Sequence, residues 1–117
     1  ACGTPILAQE NIECHVDIPE YINADFALRC KGDSMIGARI YDGDIVYIRQ
    51  QPDVIDGEIA AVLIDDEATL KRVYKIGSRR LELRAENPSF PVLKYEGKTL
   101  AEVKIIGKAV YFTSAVR

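Results

Sequence analysis

A serine and a lysine are the residues of this sequence best suited to hydrolytic chemistry. The serine, Ser34, lies in the string Gly32-Asp33-Ser34-Met35, where a glycine followed by a capping aspartate favours a sharp turn that projects the hydroxyl. A serine at the start of a helical turn also has free backbone N–H groups nearby, which can hold an oxyanion. The local pattern also fits an ordinary turn serine that caps a short helix.

A histidine or a lysine could be the base that activates Ser34. His15 is the only histidine, and it lies in a polar stretch where no carboxylate is marked as its orienting partner. Lysine replaces histidine as the base in Ser-Lys enzymes. Lys71 lies in the middle of a predicted strand, and strand alternation puts Lys71 and Arg72 on opposite faces, so one of them points inward. Periodicity does not say which, and an edge-strand charge that discourages aggregation is the alternative interpretation of Lys71.

Short strands account for most of the elements that would position these residues. Alternating, β-branched and aromatic residues predict strands, with glycine-containing turns between them, at 26–31, 44–49, 58–64, 69–74, 80–84 and 103–112. The polar tip Asp65-Asp66-Glu67 joins two of these strands as a hairpin, and Gly107 interrupts the last one. Only 33–38 looks helical, for barely one turn, with Asp33 as its N-cap. The prediction is a mostly-β domain, a curled sheet or partly closed barrel of short strands, with a one-turn helix after the serine.

Length, charge and cysteine content narrow the function classes. The chain has 117 residues, 48% of them hydrophobic and 28% charged, which fits one globular domain. Its net charge of −3 does not favour a basic surface for phosphate backbones. The three cysteines, Cys2, Cys14 and Cys30, form no CxxC pair, which fits a reducing compartment. We expect no cofactor and no metal site, and no apolar run approaches the roughly 20 residues of a membrane span.

Three strings together resemble the LexA-type self-cleaving repressors, a family that shares its fold and Ser-Lys pair with UmuD proteins and phage repressors. They are Gly32-Asp33-Ser34-Met35, Asp42-Gly43-Asp44 and the run from Ile64 to Arg72 that contains Lys71, and the separation of Ser34 and Lys71 also matches. Weaker matches extend the resemblance nearly end to end, at 3–8, 23–29, 86–88 and 106–110. The string Asp-Asp-Glu-Ala-Thr-Leu-Lys-Arg favours the LexA-type repressors over the other branches.

The resemblance implies a Ser-Lys dyad, with Ser34 as nucleophile and Lys71 as base, that hydrolyses the chain's own Cys2–Gly3 bond. LexA proteins usually break an Ala-Gly bond, whereas UmuD-type relatives use Cys-Gly. The implied organisation is a cleavage-site segment at 1–12 and a catalytic and dimerisation domain at 13–117. The family's N-terminal DNA-binding domain would be absent from the chain. The implied partners are a second copy in a homodimer, a RecA filament that stimulates cleavage, and operator DNA bound through the absent domain; the implied location is the bacterial cytoplasm.

The charge on Lys71 is the main obstacle to this chemistry. A free lysine has a pKa of about 10.4, so only about one in 2,500 is neutral at pH 7. Burial among apolar groups lowers such a pKa. We expect the segment 1–7 to act as a lid that, when docked, excludes water from Lys71 and presents the Cys2 carbonyl to Ser34. In the resting chain we expect this segment to lie away from Ser34.

Other interpretations of the same residues stay open. Bacterial signal peptidases share the Gly-Asp-Ser-Met motif and a Ser-Lys arrangement, but they need a membrane anchor, and none is visible in the sequence. A UmuD-type accessory protein of translesion polymerases and a non-enzymatic dimerisation module are the other two. The closing strand, 104–112, is either a contributor to a dimer or an internal core strand. Asp42, Asp44 and Glu67 are expected to hold the frame through turns and hydrogen bonds.

Overall fold

Seven antiparallel strands form one sheet in the computed structural model, which describes residues 17–117. The strands are β1 (Phe26–Arg29), β2 (Ile45–Gln50), β3 (Ile59–Ile64), β4 (Glu67–Ile76), β5 (Arg80–Arg84), β6 (Leu93–Glu96) and β7 (Val103–Thr113). Their order across the sheet is β1-β2-β7-β3-β4-β5-β6, so β1 and β6 lie at its edges and the sheet does not close within the described range. The predicted mostly-β fold is confirmed.

A single turn of 3-10 helix, Ile36–Ala38, follows Ser34 as predicted. Its N-cap is Met35, and the prediction of Asp33 as the cap is wrong because no side chain caps this helix. Two other elements were not predicted, the edge strand β6 and a second 3-10 helix, Gly97–Glu102. None of the helices in residues 17–117 has the length and apolar character needed to span a membrane.

The hairpin of β3 and β4 sets the position of Lys71. Asp65 and Asp66 have φ values of 47° and 66°, which is the conformation that a two-residue type I′ turn requires. Glu67, expected in the polar tip, is instead the first residue of β4 and pairs with Ile64. From this turn the register runs without a break and pairs Lys71 with Ala60.

Both faces of the β3–β4 hairpin are covered by apolar side chains. One core cluster contains Met35, Ile48 and Leu70, and a second contains Val62 and Val73, all of them buried. Leu70 and Val73, an even-numbered and an odd-numbered residue of β4, therefore enter different clusters, as strand alternation requires. A strand that is buried on both faces is apolar along its length, which explains the uninterrupted apolar run of β3.

The closing strand β7 lies inside the sheet, between β2 and β3, which confirms its interpretation as an internal strand. It runs through Gly107 without ending. Its pairing with β3 shifts register between Gly107 and Ile105, and its pairing with β2 shifts between Tyr111 and Ala109. A Cβ atom on Gly107 would lie 2.5 Å from both the Arg49 carbonyl oxygen and Ile48 Cγ2. Gly107 therefore marks a close approach of β7 to β2, not a break in the strand.

Candidate active site

The turn that carries Ser34 is tied to the loop Asp42-Gly43-Asp44. Gly32 has a φ of 80°, a conformation that favours glycine, and its N–H donates to Asp42 Oδ1 at 2.8 Å. Asp44 is only 2% exposed and accepts a hydrogen bond of 2.6 Å from the Ser114 hydroxyl. These contacts confirm Asp42 and Asp44 as hydrogen-bonding residues of the frame, and Asp42 is the one that bonds the turn of Ser34.

A second tie comes from the residues that follow β5. The Glu86 N–H donates to the Ser34 carbonyl oxygen at 2.8 Å, and Asn87 Nδ2 donates to the Asp33 carbonyl oxygen at 2.9 Å. The backbone on which Ser34 lies is thus held by partners distant in sequence. The sequence resemblance included Glu86-Asn87-Pro88 but gave these residues no role.

Two backbone N–H groups beside Ser34 have no acceptor among the residues that the structure describes. Within residues 17–117 the N–H groups of Ser34 and Met35 donate to no acceptor, whereas the Ile36 N–H donates to the Asp33 carbonyl at 3.4 Å. Met35 itself is fully buried, so this stretch of backbone is fixed against the core. Such preorganised donors are what an oxyanion needs, because they require no rearrangement when the charge develops.

Lys71 points inward from the middle of the sheet. Its side chain belongs to a residue only 8% exposed, and β4 lies between β3 and β5. The interpretation of Lys71 as an edge-strand charge is therefore wrong. Arg72, the alternative inward residue, keeps 32% of its side chain exposed.

Thr69 and Leu70 hold the amine of Lys71. Lys71 Nζ donates to Thr69 Oγ1 at 2.8 Å and to the Leu70 carbonyl oxygen at 3.1 Å. A neutral amine has two N–H bonds and one lone pair, so these two acceptors satisfy both donors and leave the lone pair free to take a proton. An ammonium group has three donors, and the described residues offer a partner to only two of them. The surroundings therefore suit the neutral amine.

Sequence reasoning missed Thr69. The signal that could have found it is the spacing, because residues i and i+2 of a strand share a face. A hydroxyl two residues before an inward-pointing lysine lies within reach of its amine.

Burial lowers the pKa of Lys71 below that of free lysine, and its interaction with Cys30 opposes the shift. Burial, Asp44 and Asp42 in turn raise the pKa of the Cys30 thiol. A thiol with a raised pKa is uncharged at neutral pH and does little to keep a neighbouring ammonium charged. The net direction favours deprotonation of Lys71, as a general base requires.

Ser34 and the residues that hold Lys71 line one small cleft. Its volume is about 50 Å³, and its lining includes Ser34, Cys30, Thr69 and Leu70. Lys71 is not in this lining and, with Thr69, lines a neighbouring pocket. No hydrogen bond joins Ser34 Oγ to Lys71 Nζ, and the amine donates to Thr69 and Leu70. The structure thus brings the serine and the two acceptors of the amine together, with serine and lysine not yet bonded.

The predicted cleavage site, Cys2 and Gly3, lies outside the described residues. The same holds for His15, for the segment 1–12 and for the expected resting position of that segment.

The family described as Peptidase S24-like matches residues 1–110. The chain belongs to this family. LexA repressors are among the similar proteins. That of Desulfitobacterium hafniense is 44% identical over 111 residues, which cover 92% of this chain and 52% of the relative. That of Oleidesulfovibrio alaskensis is 42% identical over 113 residues, 94% of this chain and 53% of the relative. That of Proteus mirabilis is 44% identical over 93 residues, 77% of this chain and 45% of the relative.

The resemblance to LexA-type repressors is confirmed by these matches, and the chain spans about half the length of the curated relatives it matches. An S24-like peptidase fold accounts for a turn serine in a cleft that is also lined by the two acceptors of a buried lysine. The matches also make a membrane-anchored signal peptidase the weaker interpretation of the Gly-Asp-Ser-Met motif.

A buried amine in an S24-like peptidase should cost the protein stability, and a substitution measures that cost. Replacing Lys71 with methionine is expected to raise the free energy of unfolding at neutral pH by about 1 kcal/mol. Because the pKa of Lys71 is lower in the folded than in the unfolded state, the cost is full below the folded-state pKa. It declines as the pH rises and disappears above about 10.4, the pKa of an unfolded lysine. Denaturant unfolding of both proteins at several pH values should therefore show a difference that shrinks towards high pH.

The exposed residue Lys104 of β7 is the matched control, because its methionine variant removes a solvated charge. The Lys104→Met difference should be small and independent of pH. An Lys71→Met protein less stable than the parent, or a difference constant across pH, would contradict the burial cost.

Proposed function

We propose that this chain is the self-cleaving peptidase and dimerisation domain of a LexA-type repressor, and that it hydrolyses its own Cys2–Gly3 bond. The observation that carries the proposal is the buried amine of Lys71, which donates to Thr69 and Leu70, two residues that line the cleft of Ser34. An amine with two N–H bonds occupied and its lone pair free is a base that lacks only contact with the alcohol. The similarity to LexA repressors supports the choice of bond and of biological setting.

The reaction proceeds through an ester. Ser34 Oγ attacks the carbonyl carbon of Cys2 while Lys71 Nζ takes the hydroxyl proton. The N–H groups of Ser34 and Met35 stabilise the resulting oxyanion. The C–N bond to Gly3 then breaks, and Lys71 gives its proton to the leaving amine. Water, deprotonated by Lys71, hydrolyses the ester to give a new carboxyl end at Cys2 and to restore Ser34.

Closure of the site is the step that regulates the reaction. The segment 1–7, once docked, removes water from Lys71 and places the Cys2 carbonyl beside Ser34, so one motion supplies both base and substrate. An intramolecular substrate gains from high effective concentration and needs no deep binding pocket. A RecA filament would favour the docked state, a second copy would complete a homodimer, and an upstream domain would bind operator DNA.

A UmuD-type accessory protein of translesion polymerases is the second candidate. The predicted Cys2–Gly3 bond favours it, since UmuD-type relatives use Cys-Gly. The similar proteins named above are all LexA repressors, which favours the first candidate. Binding of operator DNA by the full-length protein separates the two, because only the repressor should show it.

The test is cleavage of the chain extended upstream of Ala1 by a carrier protein. Incubation at alkaline pH should yield two fragments. N-terminal sequencing should show that one of them begins at Gly3. The Ser34→Ala variant should stay intact under the same conditions. Absence of cleavage at every pH, or equal cleavage of the Ser34→Ala variant, would refute the proposed function.

A further inference from the structure

The residue that follows Lys71 is tied to the loop that holds Ser34. Arg72 Nε donates to Glu86 Oε1 in a close ion pair, and Arg72 Nη1 donates to the Gly57 carbonyl oxygen at 2.6 Å. Neighbouring residues of a strand move together. A tie on Arg72 is therefore also a tie on the backbone of Lys71.

Glu86 contacts both ends of the serine turn through its backbone. Its N–H donates to the Ser34 carbonyl oxygen at 2.8 Å, and its carbonyl oxygen accepts from the Gly37 N–H at 2.8 Å. Together with its carboxylate on Arg72, this residue joins the turn of the nucleophile to the strand of the base.

The packing leaves the loop little freedom to shift. A Cβ atom on Gly37 would lie 2.8 Å from the Glu86 carbonyl oxygen and 3.0 Å from Glu86 Oε2, so the loop lies against bare backbone. The described pairing of β5 with β4 ends at Arg72, opposite Arg84, and Glu86 follows two residues later. The loop therefore turns away from the sheet next to the strand residue that it binds.

We propose that Arg72 and Glu86 are positioning residues that set the spacing between Ser34 and Lys71. This inference rests on the proposed function. An ion pair with both side chains about a third exposed contributes little to stability, so a purely structural role predicts almost no effect of its removal. A misplacement of about 1 Å between reacting groups, in contrast, slows a reaction about a hundredfold.

The experiment measures self-cleavage of the carrier-extended chain in the variants Arg72→Ala, Glu86→Ala and the double substitution. Each single variant should cleave about a hundredfold more slowly, and the double variant should be no slower than either, because both changes break the same tie. The Glu86→Gln variant keeps an oxygen for Arg72 and should retain most of the rate. It also covers the case in which an alanine variant fails to fold.

The pair of Lys108 and Glu58 is the matched control. Its side chains are 31% and 23% exposed, close to the values for Arg72 and Glu86, and it has no contact with the Ser34 turn. The variants Lys108→Ala and Glu58→Ala should cleave within about twofold of the parent. A loss of rate equal to that of the Arg72 and Glu86 variants would assign the effect to general destabilisation and overturn the inference.

The pH profile separates positioning from an effect on the proton of Lys71. Lost positioning lowers the plateau that the cleavage rate reaches at high pH. It leaves unchanged the pH at which the rate is half of that plateau. A shifted midpoint with an unchanged plateau, multiplicative effects in the double variant, or rates near that of the parent would overturn the inference. Failure of the parent itself to cleave would overturn the proposed function instead.

Amide hydrogen exchange tests the tie without cleavage. The N–H groups of Glu86 and Gly37 should exchange faster in the Arg72→Ala variant than in the parent. In the Lys108→Ala variant their exchange rates should equal those of the parent. Unchanged exchange in Arg72→Ala would show that Arg72 does not hold the loop and would overturn the inference even if cleavage slowed.

Discussion

Replacing Lys71 with alanine is expected to abolish hydrolysis of Cys2–Gly3 at every pH. General base catalysis contributes about a hundredfold to ten-thousandfold to such reactions, and the truncated side chain leaves no other amine on Thr69 and Leu70. The rate of the parent should rise with pH and level off once Lys71 is deprotonated. Since burial lowers the pKa of Lys71, this plateau should begin below about 10.4, the pKa of a free lysine.

The control for this prediction is Lys75, which lies on the same strand and the same face but is exposed and bonded to Asp53. The Lys75→Ala variant should follow the pH profile of the parent. Rates would be measured from the loss of intact carrier-extended chain on gels across neutral to alkaline pH. Undiminished cleavage in Lys71→Ala would remove lysine from the mechanism.

The largest expected effect on stability comes from a single methyl group at Gly107. The Gly107→Ala variant should lose about 3 kcal/mol of unfolding free energy, because overpacking in a tight interior costs about 1–3 kcal/mol or more. One of the two nearest atoms to the added Cβ is the carbonyl oxygen of Arg49. This oxygen belongs to the backbone of β2 and cannot move aside as the end of a flexible side chain would. Urea unfolding gives the measurement.

Lys104 on the same strand is exposed, so its alanine variant should unfold within about 0.5 kcal/mol of the parent. A Gly107→Ala protein as stable as the parent would mean that β7 and β2 separate easily at this point. It would then contradict the close approach inferred from the short distances of a Cβ atom at Gly107.

The sheet was largely predictable because most of its strands have a recognisable pattern of apolar and polar residues in the sequence. The alternating residues around Lys71 and the continuous apolar run of β3 each indicate a strand, and the two aspartates between them indicate the hairpin. Strand β6 was missed because it is short, lies at an edge and follows a segment with two prolines, 88–91. An edge strand with one covered face leaves a weaker pattern than an interior strand does.

The reactive residues of the candidate site could be predicted from the sequence, but the residues that hold them in place could not. Ser34 and Lys71 were identified from residue type and from resemblance, and their role as a dyad stays a prediction. Glu86 and Asn87 were beyond local reasoning, because their hydrogen bonds to the serine turn join residues far apart in the chain. Propensity and spacing describe neighbours, whereas these contacts exist only after the sheet has formed.

The two-residue turn at Asp65 and Asp66 has a consequence for how this domain can vary. Side chains of a strand alternate between its two sides, so the number of residues between the turn and the lysine decides, by being odd or even, which side receives the amine. One residue added to the beginning of β4 would send Leu70 to the place of Lys71 and the lysine into the opposite layer. An odd change in length between the tip of this hairpin and the lysine would thus exchange an aliphatic chain for the amine, whereas an even change would keep the amine on its side of the sheet.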